Sequence, residues 1–510
     1  MRLFIFAIGG TGSRVLKSLL MLSAAGVRPV GPDGKPVPNL ELVPIIIDPH
    51  KSNADLKRTE TLLSAYRMLR RQIHGDEVNA SGFFATKIST LRDIMQGSPV
   101  PLDDSFIFNM AAVGSKKFRD FISYDTMNEP NQALTSLLFA DYQLENKMSI
   151  GFVGSPNIGS VALNGIKDSN EFKAFTSVFA DGDRIFFVSS IFGGTGAAGF
   201  PILVKNIRQA AGADIKNRAF LQTAPIGGLT MLPYFSLMQS DDSSDRRIAS
   251  SDFIVKTQSA LEYYNQTITG DSGSQVNAIY YLGDHGHDAP YKYDPGDKQD
   301  QHDPAHLVEL VGALAPLNFA GLPADQLVDP VTRAPLPTKA FEYGLDDDTD
   351  DVCFASLGKQ TRDLVYESMV KFHLLFIFLR TGFSGMIGQG FTEDAPKITR
   401  DFTATQFYRT LTDSFFGGYT EWLSELKFNR RHVEPFCSGV FDMTSAIKGV
   451  HTRKGFFGAK TVNCDTFKSE MNKLSRDNHD YAGRTLEFKL MDLFNKAAAK
   501  IIAERYDNIN

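Results

Sequence analysis

Two turns in this 510-residue chain share one core: Gly9-Gly10-Thr11-Gly12-Ser13 and Gly193-Gly194-Thr195-Gly196. Each follows a strand-like apolar run, and each opens a helix-like one. Such a turn is suited to phosphate, because bare backbone N–H groups at a helix N-terminus supply both donors and a partial positive charge. Glycine permits the tight turn and the close approach, and Thr11, Ser13 and Thr195 add hydroxyl donors. Neither turn continues into the Gly-Lys-Ser/Thr of a P-loop, so phosphate would be held without that motif's lysine. Arg14 and Lys17 follow the first turn and read equally well as phosphate-side cations or as solvated helix residues. One such turn is often only a strand-to-helix connection. Two in one chain suggest two helix N-termini converging on one polyphosphate.

The elements that must position these turns follow from apolar patterning. Leu3–Ile8 is continuously apolar, as in a strand covered on both faces. Val15, Leu16, Leu19, Leu20 and Leu22 recur at helical spacing, and Leu42–Ile47 is a second buried strand ending at Asp48-Pro49. Strand, glycine turn, helix, strand and acid is how a doubly wound domain begins. Residues 55–148 read as polar helices and an insertion. Residues 149–153, 184–190, 218–223 and 278–282 read as further strands, and 201–211 as a helix. Asp303-Pro304 reads as an N-cap and first helical position of a helix through Phe319. Residues 322–338, with four prolines, form a connector. The expected architecture is α/β: a doubly wound, mostly parallel sheet over 1–302, a central helix over 303–320, and a second, α+β domain over 340–510 with a mixed sheet.

Composition narrows the function classes. An apolar fraction of 43% is that of a globular protein, and a net charge of -6 gives no basic field for nucleic acid. Cys353, Cys437 and Cys464 fit no metal-ligand spacing and read as reduced thiols. The N-terminus lacks the layout of a signal peptide, and Leu374–Leu379 is too short to span a bilayer. The expectation is a cytoplasmic protein with no transmembrane segment.

With these motifs in place, residues 1 to about 325 resemble the tubulin/FtsZ superfamily, most closely its divergent bacterial tubulin-like proteins. Phe192-Gly-Gly-Thr-Gly-Ala-Ala-Gly-Phe-Pro201 is similar to the superfamily's signature loop. Gly9–Ser13 falls at its first phosphate loop and Asp48 at the loop after the second strand. Ser155-Pro-Asn-Ile-Gly159, preceded by Gly154, resembles the γ-phosphate-sensing third loop. Thr223-Ala-Pro225 falls near the fifth, and Asp303-Pro-Ala-His306-Leu-Val308 resembles the start of the central helix. The resemblance implies a GTP/GDP-binding protein, with Mg²⁺ a further candidate, that self-associates head to tail into filaments. It implies that Asp303 and His306 line the nucleotide, and that Asp325 and Asp329 are position-matched to the acidic loop that polarises water on the next subunit. Both aspartates read equally as loop carboxylates. Arg14, Gln301 and Ala305 stand where the family contacts or reads guanine, which leaves the base open. The segment 340–510 is a candidate surface for a protein partner.

Two other clusters carry weaker chemistry. Asp284-His285-Gly-His287-Asp288 has a metal-like pair of histidines in a polar loop, with His302 nearby, and Asp346–Asp351 has five carboxylates in six residues without EF-hand spacing. Both read first as hydrated loops. Ile8-Gly-Gly-Thr-Gly-Ser13 with Asp48 also resembles the start of the ThiF/ubiquitin-activating enzymes, so a Rossmann-type enzyme using NAD or ATP is the alternative. A nucleotide-locked scaffold is the third reading.

Overall fold

The computed structural model describes residues 1–50, 53–95, 102–114, 116–152, 154–210, 215–235, 250–269, 275–284, 303–345, 349–455, 458–477 and 481–509. The apolar runs become the middle of a seven-stranded sheet: β1 (Arg2–Ile8), β2 (Glu41–Ile47), β3 (Lys87–Ile88), β4 (Arg184–Ser190), β5 (Ile226–Met231), β6 (Ala278–Leu282) and β7 (Lys339–Glu342). Its order is β3-β2-β1-β4-β5-β6-β7, and every pairing is parallel. Phe6 lies opposite Ile45 on one side and Phe187 on the other. From β1 the chain steps outward through β2 and β3, then returns to β4 and proceeds the other way. The switch point therefore lies between β1 and β4.

Helices cover the sheet: α1 (Gly9–Ala25), α2 (Ala54–His74), α3 (Pro156–Asn164), α4 (Gly194–Gln209), α5 (Ser250–Tyr264), α6 (Leu307–Gly312) and α7 (Leu314–Gly321). Past β7 the chain is mainly helical, with α8 (Lys359–Thr381), α9 (Phe416–Phe428) and α10 (Leu486–Arg505). Its described strands are two two-residue pairs, Asp351–Val352 with His432–Val433 and Lys454–Gly455 with Gly458–Ala459. The expected mixed sheet of this segment is not formed among the described residues. The buried apolar side chains of both halves form one cluster, and Trp422 Nε1 of α9 donates to Ser18 Oγ of α1 at 3.1 Å. Because α1 lies between the sheet and this helical layer, it is buried throughout from Thr11 to Ala25.

Several elements depart from the sequence expectation. Arg218–Thr223 is a helix, and the strand is Ile226–Met231. Residues 149–153 form no strand among those described: Met148–Ile150 is a three-ten turn, and Gly151 at φ +85° breaks the extended run. The central helix starts at Leu307, not Asp303, and is interrupted at Ala313. Pro316 lacks the N–H that would bond back to Gly312. The seventh strand begins at Lys339, beyond the 302 boundary expected for the nucleotide domain. No helix among the described residues is long and apolar enough to cross a membrane.

Candidate functional site

The glycine turns hold their helices directly on their strands. A Cβ at Gly12 would lie 2.6 Å from the Ala7 carbonyl carbon and 3.1 Å from the Val188 oxygen; one at Gly196 would lie 2.6 Å from the Ser190 oxygen. These two glycines serve close helix–strand packing. Gly9 turns the chain at φ +72° and Gly154 at φ +64°, a region that favours glycine.

The other glycines bring separate loops together. A Cβ at Gly9 would lie 3.7 Å from Thr195 Cβ and 4.0 Å from the Gly196 nitrogen. At Gly194 it would lie 3.1 Å from the nitrogens of both Gly154 and Ser155, and at Gly159 2.9 Å from the Gly194 oxygen. The loops at 9–13, 154–159 and 193–196 thus meet at the carboxyl ends of β1 and β4. Ser13 and Gly193 lie within the same turns, and Gly10 has Arg14 and Asn53 side-chain nitrogens as its nearest neighbours.

The three helices that start here share an unmet demand. The N-cap residues Ile8 (α1), Ser155 (α3) and Gly193 (α4) make no side-chain cap bond, and none of these first turns contains an acidic residue; within α3, Asn157 Oδ1 accepts from Ile158 N at 3.0 Å. The leading N–H groups of a helix have no partner within it. Neighbouring helices differ. Asn53 caps α2 by accepting from the nitrogens of Asp55 and Leu56. His306 caps α6, its Nδ1 accepting from Val308 N at 3.1 Å while Glu309 accepts from His306 N. Asp48, at the end of β2, is buried and accepts from His50 N at 2.9 Å. Burial lifts its carboxyl to about 7, against the pull of that amide. Lys256 of α5 donates to the Gly154 carbonyl at 3.1 Å.

Behind the cradle, one turn along α1, lies an ionic cluster. Arg14 Nε donates to Glu309 at 2.6 Å, Nη1 to Asp303 at 3.1 Å and Asp55 at 3.3 Å, and Nη2 to Tyr234 Oη at 2.9 Å. Burial opposes the charge on Arg14, but Tyr234, Glu309, Asp303 and Asp55 outweigh it and hold the guanidinium well above its usual range. Lys17 donates to Glu425 of α9 at 2.6 Å, and Arg58 joins Glu425 to Asp55. Glu425 also accepts from Ala305 N at 3.1 Å. Arg14 and Lys17 are therefore neither solvated nor open to phosphate. Asp303 is an ion-pair partner rather than the helix cap, and His306 is the cap. Asp55, Tyr234, Glu309, Glu425 and Lys256 carry no motif in the sequence and are found only through contacts across the fold.

Asp325 and Asp329 lie elsewhere. Arg184, the first residue of β4, donates to the carbonyls of Phe319 and Leu322, so α7 ends at the amino edge of the sheet. Asp325 follows in an exposed turn. Asp329 accepts from Val331 N and Thr332 N at 2.9 and 2.7 Å, and these bonds lower its pKa. Seven residues of β4 at ~3.3 Å each put them roughly 20 Å from the glycine turns. Thr223-Ala-Pro225 also lies at the amino end of β5, so its match to the fifth loop fails.

A cavity of about 340 Å³ opens at the carboxyl ends of β5 and β6, lined by Leu232, Leu282, Leu307, Val308 and the Arg431–Asp284 ion pair. Among the described residues no three His, Cys, Asp or Glu side chains are grouped to hold a metal ion. His285, His287, Asp288, Gln301, His302 and Asp346–Asp348 lie outside the described residues. All three cysteines are free. Comparison of the sequence with protein-family models and with curated proteins finds no match.

Proposed function

We propose that this chain binds a nucleoside polyphosphate in the manner of the tubulin/FtsZ superfamily and assembles head to tail. One observation carries the reading: three helices without side-chain caps begin together at the carboxyl ends of β1 and β4. In an open parallel sheet, ligands bind at such a switch point, and uncapped helix N-termini favour an anion. The residues fit the group. The backbone N–H groups of Gly9–Gly12, Gly154 and Gly193–Gly196, with the hydroxyls of Thr11 and Thr195, would hold the phosphates. The Ser155 and Gly159 amides donate to the Phe152 and Ser155 carbonyls, and the buried Ser13 hydroxyl to the Gly9 carbonyl, so these shape the loops. Buried Asp48 stands beside them as the carboxylate for a ribose or a Mg²⁺.

GTP or GDP is the ligand the resemblance favours. Arg14, Asp303 and His306 are engaged with neighbours, so base reading by them is not part of the proposal. A bound triphosphate supplies a hydrolysable anhydride. Asp325 and Asp329, at the opposite end of the sheet, can serve it only from a neighbouring subunit, as a head-to-tail stack allows. The helical segment beyond β7 is the surface proposed for a protein partner.

Mass spectrometry of ligand released from the purified protein tests the binding half, with GTP or GDP expected. Sedimentation with GTP, ATP and a non-hydrolysable analogue tests assembly; a nucleotide-insensitive monomer at micromolar concentration refutes it. The alternative, a Rossmann-type enzyme using NAD or ATP, is favoured by Asp48, since dinucleotide folds place a ribose-binding acid after β2. Recovery of NAD or AMP selects it. In a nucleotide-locked scaffold, bulky residues at Gly194 and Gly196 would leave cellular function intact.

A further inference from the structure

The cations around the cradle are of two kinds. Arg14, Lys17 and Arg58 are each paired with carboxylates. Lys256 is not: its ammonium donates to the Gly154 carbonyl, and among the described residues no carboxylate pairs with it. It is part-exposed, so its head group can move without breaking a packed core.

The position of α5 gives this contact its meaning. Tyr264 Oη donates to the Ala197 carbonyl at 3.1 Å, in the first turn of α4, and the Tyr264 ring packs on Phe200 with centroids 5.5 Å apart. This fixes the end of α5 level with the start of α4. Helices joining parallel strands run from the carboxyl end of the sheet to its amino end. Lys256, eight residues before Tyr264, therefore stands ~12 Å nearer the carboxyl end, at a rise of ~1.5 Å per residue. That places it beyond the mouth of the cradle, reaching back to the loop that faces Gly194. A neutral carbonyl is a weaker partner for an ammonium than a phosphate oxygen.

Resting on the polyphosphate reading above, we propose that Lys256 is a phosphate ligand. Its ammonium leaves the Gly154 carbonyl for the outermost phosphate of the bound chain, making affinity depend on phosphate number rather than on base. No bond is made or broken beyond this exchange of hydrogen-bond partner.

The test is calorimetric titration of the full chain with inorganic tripolyphosphate, pyrophosphate, GTP, ATP and GDP, at low and moderate salt. Lys256→Gln should weaken tripolyphosphate, GTP and ATP by about ten- to a hundredfold, as expected for one charge-assisted contact. It should weaken pyrophosphate and GDP by no more than about threefold and flatten the salt dependence for the triphosphates. Lys256→Arg should retain most of the affinity. An equal loss for di- and triphosphates overturns the assignment to the outermost phosphate. Unchanged triphosphate binding in Lys256→Gln, while Gly194→Val abolishes it, overturns the role of Lys256 and leaves the cradle standing. If the wild-type chain binds no polyphosphate, both readings fall. An unchanged melting temperature for Lys256→Gln separates lost binding from lost folding.

Discussion

The cradle and the ionic cluster lie one helical turn apart on α1, yet they satisfy their polar groups in opposite ways. In the cluster three cations, Arg14, Lys17 and Arg58, meet four carboxylates, Asp55, Asp303, Glu309 and Glu425, and each has its partner inside the fold. In the cradle the N-cap residues of three helices make no side-chain cap bond, and only Asn157, within α3, takes up an amide of a first turn. The two patterns have different physical consequences. Buried charges that are fully matched belong to the frame; amide donors left without an acceptor belong to the surface that meets something else.

The comparison breaks most sharply at Arg14. Arg14→Leu takes the guanidinium from buried Glu309 and Asp303 and leaves Asp55 with Arg58 alone, and should lower stability by about 3–5 kcal/mol in urea unfolding at neutral pH. Adding Asp303→Asn and Glu309→Gln should return much of it. A loss under about 1 kcal/mol would mean these carboxylates reach water, and the contrast with the cradle would disappear.

Asp48 sets the next effect. Its folded pKa of about 7 lies above the ordinary carboxyl value, because burial penalises the charge. Between about pH 4 and 7 the folded chain keeps a proton that the unfolded chain has released, so stability falls as pH rises through that window. The full change, on the order of 4 kcal/mol, is reached above about 7. Asp48→Asn should flatten this slope in thermal melts across pH 4–8; a wild-type curve that is already flat contradicts the burial argument.

Gly194→Val sharpens the other side. Its Cβ would press on the nitrogens of Gly154 and Ser155, and tripolyphosphate binding should weaken at least tenfold, about 1.4 kcal/mol, with the helical signal of circular dichroism retained. The smallest effect is a matched pair. Asn53→Ala removes a working cap and should cost about 1 kcal/mol of stability, whereas Ser155→Ala, at a helix start without a cap bond, should change it by only about a few tenths. Equal losses in chemical denaturation would erase the distinction between capped and uncapped starts.

What the sequence discloses here is local chemistry. The runs of β1, β2, β4 and β6 and both glycine turns are readable because a strand buried on both faces is continuously apolar. Strand β5 is not, because Gly227 and Gly228 break its pattern. Those glycines exist for the rings around them: a Cβ would come within 2.7 Å of Phe186 at the first and 2.5 Å of Phe200 at the second. The strand-like look of Arg218–Thr223 filled the gap instead. At the site, the three loops are legible as motifs, but the partners of Arg14 are not. Glu309 is 295 residues away and Tyr234 is 220, and nothing in the spacing of one chain announces such meetings. Asp303 has the type and place of an N-cap, and only the cation beside it explains why His306 takes that position.

Arg184 gives the sheet one further property. At the start of β4 it grips the carbonyls closing α7, just before Asp325; at the other end of the same strand, Ser190 sits under Gly193 and Gly196. A single parallel strand, hydrogen-bonded to β1 and β5 along its length, is thereby a stiff pushrod between the two poles of the molecule. The ladder to β5 runs unbroken from Ile185 to Ser190, so the distance between the glycine turns and the turn bearing Asp325 is set by the sheet and not by a loop.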